Sequence, residues 1–418
     1  MFDMKNTTFK KRVSLFSTIP FFVCYLSSQS LEQYIQLGLE NHPEIAGRQL
    51  EYQAALQKSI QAKSLPEPEI NASTFLNPMM LPMGNQLGSI SAMQMFPWKG
   101  TLPAMEKEAL QMAAVQQARI DVTKNELVFR IKKAWYPMLQ LEAQAAVLRE
   151  QLRILETDQI LATAKFRQGQ APMTDAIRAE LMIAETQTEL TLLEQKRQPL
   201  QAVFNRLLNR DAQLTVTVAE HLPEARISAG SESLDVTNHP ALEVMDREIS
   251  AAQAAEAAAG LMRKPMMGAG IQYMPLAKRD NEMLPPNTGR DMIMPMLRVT
   301  LPIWKTKYDA AVEEQRLLQS AFAKSKESMV NELAAEYAMT GYELEETVQM
   351  EQLLQTQIGK TQQIIDLMLA AYSQSGQEFM EILRLQEQIF RYRLQQIDNR
   401  TRHQLVLVRL DNLTGKFE

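Results

Sequence analysis

Through much of the chain, apolar residues recur every three or four positions over stretches far longer than an ordinary helix. Between Pro103 and Phe166, Leu127, Ile131, Ala134, Met138, Leu141, Ala145, Leu148, Leu152 and Leu155 alternate spacings of four and three. This heptad seam predicts a left-handed supercoiled helix roughly 90 Å long at about 1.5 Å per residue. Leu354, Ile358, Thr361, Ile365, Met368 and Tyr372 keep the same register later in the chain. A further row, Val147, Ile154 and Leu161, runs beside the first seam. A helix with two seams packs against neighbours on both sides, as in a sheet or tube of helices. Pro137 should kink the first long helix. Return helices are expected from Pro172 to about Asn209 and from Ser375 to about Leu413. Shorter helical stretches, Leu31 to about Lys63 and Ala241 to about Arg263, precede the long ones.

Between the short and long helices the period changes to two. Glu69–Leu76 and Ser89–Trp98 suit strands around a turn-rich segment, Asn77–Gly84. Later, Met267, Ala269, Ile271 and Tyr273 alternate with Gly268, Gly270 and Gln272. Ile293, Leu297, Val299 and Leu301 alternate with Met294, Met296, Arg298 and Thr300, and Pro275–Asp291 between the two runs reads as a polar loop. Four strands cannot close a barrel, and open edges cannot face lipid. The pattern therefore fits either a small soluble β-subdomain or a membrane barrel to which several chains contribute.

The helices and strands are arranged as a tandem repeat. Asn41-His42-Pro43 recurs as Asn238-His239-Pro240, Trp98-Lys99 as Trp304-Lys305, and Asn125-Glu126-Leu127 as Asn331-Glu332-Leu333. From the tryptophan onward the offset is 206, but at the triplet it is 197, so the extra length lies in the strand interval. The triplets read as turns with proline at a helix start, which makes His42 and His239 structural residues. Each repeat has a helical hairpin whose tip carries matching residues. Phe166, Gly169, Asp175 and Arg178 in the first correspond to Tyr372, Ser375, Glu381 and Arg384 in the second. Gly169 can take a positive φ, and Ser375 with Glu378 reads as a capping box. The divisions are a leader over 1–30, repeat 1 over 31–210, a linker over 211–235 and repeat 2 over 236–418. The strand intervals are about 66–100 and 264–304, the tips about 166–175 and 372–381. The linker holds a short strand candidate at Leu214–Val218.

Composition narrows the function. A net charge of −5 without a basic patch argues against nucleic acid as a partner. Lys5, Lys10, Lys11 and Arg12, then the apolar run Val13–Leu26, then small residues, read as a secretory signal peptide. The only cysteine, Cys24, lies in that run, as a residue of the leader or a lipidated N-terminus. The mature chain then has no thiolate for a disulfide or metal site, and its histidines lack zinc-type spacing. No phosphate loop, nucleophile elbow or other catalytic constellation is present, so the expectation is a non-enzyme with no cofactor.

Two repeats of helix, β-hairpin, long helix and return helix, each with an aromatic-x-x-Gly-x5-acid tip or its variant, resemble the TolC family of outer-membrane efflux ducts over nearly all of Leu31–Leu413. The resemblance implies a mostly α fold with a small β part, in which a homotrimer closes a 12-stranded barrel above a helical tunnel. It also implies outer-membrane lipid, a periplasmic adaptor and an inner-membrane pump of the resistance-nodulation-division type as partners. The second tip would close the tunnel, with Tyr372 and Glu381 matching the family's gate positions. Ser375 departs from the usual glycine, with Gly376 displaced by one, and Arg384 stands where a second acid can occur. A periplasmic coiled-coil scaffold is the alternative, but it leaves the alternating strands unexplained. Two further features stay open. Five methionines in Pro66–Gly100 and seven in Lys264–Trp304, of 26 in the chain, suit either soft metal cargo or lipid-facing apolar packing. Asp175, Arg178, Glu381 and Arg384 suit either a charged ring across a trimer or ordinary intrahelical pairs.

Overall fold

A computed structural model describes residues 30–218, 221–226, 236–278, 289–375 and 379–416. The expected leader with Cys24 lies outside them, as do Gly376 and Glu378. The elements are α1 (Leu31–Asn41), α2 (Pro43–Lys63), β1 (Glu69–Leu81), β2 (Gly84–Phe96), α3 (Thr101–Arg167), α4 (Met173–Leu207), α5 (Pro240–Leu261), β3 (Met266–Met274), β4 (Leu276–Ala277), β5 (Met292–Thr300), α6 (Lys305–Ser375) and α7 (Phe379–Leu413). The chain is thus mostly helical with one small antiparallel sheet. No helix among the described residues is long and apolar enough to cross a membrane.

Each repeat carries the same capping device near its start. His42 precedes Pro43 with extended backbone, and its Nδ1 accepts the Glu44 N–H at 3.3 Å. His239 does the same before Pro240, accepting from the Ala241 N–H at 3.2 Å. Proline fills the first helical position, where a missing N–H costs nothing, and the imidazole satisfies the next donor. Both histidines are held below their ordinary pKa by burial, which keeps the ring nitrogen unprotonated and able to accept.

The heptad seam of α3 is buried at Leu127, Ile131, Met138, Leu141, Ala145, Leu148 and Leu155. Beside half-covered Ala134, Trp135 takes the deepest position, its ring 5.6 Å from those of Tyr34 and Phe204. This cluster joins α1, α3, α4 and the linker. Gly38 marks the closest approach of α1 to α3, since a Cβ there would lie 2.5 Å from Cδ1 of Ile131. In the second row, Val147 and Ile154 line a cavity between α3, α6 and α7, whereas Leu161 is exposed. The α3 helix therefore has packed neighbours on both sides, α4 and α7, and it runs unbroken through Pro137.

Three expectations are corrected. Leu214–Val218 forms no strand. Its carbonyls are met by α4 side chains instead: Asn205 Nδ2 donates to Ala212 and Leu214, and Gln201 Nε2 to Val216. Ser375 does not start the return helix; it is the last residue of α6, and α7 begins at Phe379. The first hairpin is taller than its turn residues suggested, because β1 and β2 run on to Leu81 and from Gly84. Pairing steps from Thr74↔Gly88 directly to Met79↔Gln86, so Phe75–Pro78 form a bulge that accommodates a proline lacking the ladder donor.

The strand order is β1-β2-β3-β5, all antiparallel, with β4 on the outer end of β2. The segment expected as a plain loop, Pro275–Asp291, thus starts with a short strand. It also carries the extra length of the second repeat, because the first hairpin turns over Pro82-Met83 alone.

Candidate functional site

The register sorts the sheet into two chemically distinct faces. Directly paired residues share a face, as do alternate residues along a strand. Ile70, Ile90, Ala92, Phe96, Met267, Ala269, Ile271, Tyr273, Ile293, Leu297 and Val299 therefore lie together on one face. All are exposed, Leu297 at 89% and Ile70 at 72%, so nothing among the described residues covers this apolar face. The opposite face holds Asn71, Ser73, Ser89, Ser91, Gln272, Glu69 and Arg298, together with Met93, Met95, Met266, Met274, Met292, Met294 and Met296. Along β3 this second face is the covered one at every step, as on a sheet that curls towards it. Glu69 and Arg298 on it form an ion pair at 3.1 Å.

Of the methionines in the two strand intervals, Met267 sits on the bare apolar face, as does Met79 opposite Gln86 at the hairpin end. Met79, Met80 and Met83 lie at the exposed hairpin end, and Met283 falls outside the described residues.

The hairpin tips form the other end. In the first, α3 closes on Gly169 at φ 73°, with the Gln170 N–H donating to the Lys165 carbonyl at 2.9 Å. Phe166, Met173 and Ile177 stay exposed around it. Asp175 is buried, and burial raises its pKa against the pull of Arg178, which remains exposed. At the first tip, then, the acid is buried while its arginine three residues on is exposed. In the second, Glu381 accepts from Arg384 Nη1 at 3.2 Å, an exposed i,i+3 pair on α7. Tyr372 and Ser375 belong to the last turns of α6. The two tips are tied just above by Leu155, Ala162, Ala176, Ile382 and Leu383, a buried cluster from α3, α4 and α7. Beside it Asp158 is buried, its pKa raised by desolvation and partly restored by a hydrogen bond from Gln386.

A buried polar layer between α6 and α7 escaped sequence reasoning. Glu351 Oε1 accepts from Arg400 at 2.7 and 2.9 Å and from Gln396 at 2.9 Å. Thr347 Oγ1 pairs with His403 Nδ1 at 2.8 Å, and Asn399 Nδ2 donates to the Thr347 carbonyl. Burial lowers the His403 pKa, keeping the ring neutral. The signal was present: continuing the Leu354 register backwards places Glu351, Thr347 and Thr340 on the seam. Among the described residues no group of three or more His, Cys, Asp or Glu could hold a metal ion.

Solved outer-membrane channels share this fold. The channel OprN superposes with a TM-score of 0.71 at 13% identity, over 92% of this chain and 89% of its own. The open-state MtrE channel of Neisseria gonorrhoeae gives 0.68 at 16%, over 92% and 88%. VceC from Vibrio cholerae gives 0.66 at 14%, over 92% and 96%. No protein-family model and no curated protein matches the sequence. The likeness expected from the duplicated tip and strand pattern thus holds at the level of fold.

Proposed function

We propose that three copies of this chain form a passive duct through the outer membrane of a Gram-negative bacterium, the exit of a tripartite efflux system. The observation that carries this is the bare apolar face of a sheet whose outer strands, β1 and β5, have open edges among the described residues. An apolar sheet face belongs in lipid only if every edge is paired, and twelve strands from three chains close the ring. Exposed Trp98 and Trp304 stand where strands meet helices, the level at which aromatic belts mark a membrane surface. A coiled-coil scaffold would have no use for such a face.

In this reading the helices continue the pore into the periplasm. The exposed Phe166, Met173 and Ile177 offer an apolar surface to a periplasmic adaptor, which links the duct to an inner-membrane pump of the resistance-nodulation-division type. The tips, with Phe166, Gly169, Asp175, Arg178, Tyr372, Ser375, Gly376, Glu381 and Arg384, form the gate. The cargo class argued from the thioethers is soft metal ions. Membrane fractionation followed by reconstitution tests the duct: a detergent-extracted trimer that conducts in planar bilayers is expected. A soluble monomer after leader removal would refute it.

A further inference from the structure

We propose that the methionine-bearing face of the sheet, covered along β3, is a thioether-lined wall that binds a soft monovalent cation, Cu(I) or Ag(I), around Met93, Met95 and Met296. The inference rests on the duct reading for one thing only, that this face meets the water of the pore.

Three observations carry it. First, the methionines are segregated by face. The bare face is mostly Ile, Leu, Val, Ala and aromatic residues, with Gln94, Met267 and, at the hairpin end, Met79, while seven methionines share the other face with serine, asparagine and glutamine, residues that need no apolar filler. Second, glycines open the space the sulfurs occupy. A Cβ on Gly268 would lie 2.5 Å from the Met95 sulfur and 3.2 Å from that of Met93, so both sulfurs approach one point on the wall. A Cβ on Gly270 would lie 3.0 Å from the Met93 sulfur, and the ladder partner of Gly270 on β5 is Met296. Third, the set is continuous. Met294 follows Met296 on the same face of β5, and Met292 pairs directly with Met274 at the outer end, while Met266 lies at the helix end. Paired side chains stand about 5 Å apart and diagonal ones about 7–8 Å. An ion leaving one thioether therefore has another within reach along the whole sheet.

Thioethers are neutral and soft. They favour Cu(I)-like ions over Mg²⁺ or Ca²⁺ and release them without a proton exchange. The nearest charges, Glu69 and Arg298, neutralise each other and leave selectivity to sulfur.

Silver(I) is the probe, being redox-inert. Purified trimers in chloride-free buffer are titrated with silver nitrate by calorimetry, and silver-edge absorption reads the ligand atoms. Wild type should bind at least one ion per chain with sulfur neighbours. The near-isosteric Met93→Leu/Met95→Leu/Met296→Leu protein should bind about tenfold more weakly or worse, with potassium conductance in bilayers unchanged. Met112→Leu on α3 should alter neither. Equal silver binding by wild type and the triple variant overturns the proposal, as does silver held by oxygen and nitrogen alone. Absence of conductance in every protein would overturn the duct instead, and the silver comparison would still decide the site.

Discussion

Arg400→Met perturbs the most deeply buried charge in the helical hairpins. The Glu351 side chain is 3% exposed, and its Oε2 has no partner, so Oε1 receives all of its hydrogen bonds. Two of those bonds come from the Arg400 guanidinium, at 2.7 and 2.9 Å, with Gln396 and Gln355 supplying amides at 2.9 and 3.1 Å. Breaking a buried pair by deleting one partner costs about 3–5 kcal/mol, and the two remaining amides place this case near 3 kcal/mol. Native-state hydrogen exchange is the assay, because opening of one hairpin is read there without unfolding the assembly. Amides of α6 around Thr347–Leu354 should lose protection by roughly a hundredfold, about 3 kcal/mol. Replacing the acid as well, in Glu351→Leu/Arg400→Met, should recover all but about 1 kcal/mol, since an apolar pair needs no compensation. A loss below about fivefold in the single variant, or a double variant no better protected, would refute the reasoning.

Other outcomes follow from the same geometry. His42→Ala should cost about 0.5–2 kcal/mol as a lost helix cap, and His42→Asn far less. Because burial lowers its folded pKa, the His42 cap is fully present above the ordinary value of 6.5 and is lost as pH falls towards the folded one; thermal melts across that range should show the dependence vanish in His42→Asn. Asp158 has the opposite sign, a raised folded pKa, so its contribution is best below the ordinary value of 3.8 and declines as pH rises through the folded one. Asp158→Asn should therefore raise the melting temperature at pH 7 and leave it unchanged in strong acid. Arg384→Ala should increase bilayer conductance at low salt, where screening is weakest, and the increase should shrink in Glu381→Gln/Arg384→Ala. Identical conductance would remove these residues from the gate and leave Glu381–Arg384 as an intrahelical pair.

The fold was legible where one residue type repeats at one period. The α3 seam, the histidine–proline caps and the two faces of the sheet all follow from spacing, because a heptad or a period of two has few alternatives. Legibility failed where side chains replace regular ladders. Leu214–Val218 alternates like a strand, yet Asn205 and Gln201 satisfy its backbone, and no local pattern announces a partner on another helix. The turn residues Asn77-Pro78 suggested the hairpin's end, but a bulge absorbed the proline and the strands continued. At the tips, sequence alone could not separate a buried Asp175 from an exposed Glu381, since both occupy the same position of a repeated motif.

The outer end of the sheet bears on how a duplicated chain ceases to be symmetrical. The Gly289 N–H donates to the Met83 carbonyl at 2.7 Å, the Leu87 N–H donates to the Pro275 carbonyl at 3.1 Å, and β4 lies along β2. The connector of the second half thereby clasps the turn of the first, and only the half with the longer interval can do so. The unequal offsets of 197 and 206 place the extra length in the interval that holds this connector. Trimming the second copy to the length of its ancestor's twin would restore the symmetry and undo the clasp. The difference in length has thus given the two copies a contact that neither repeat could make alone.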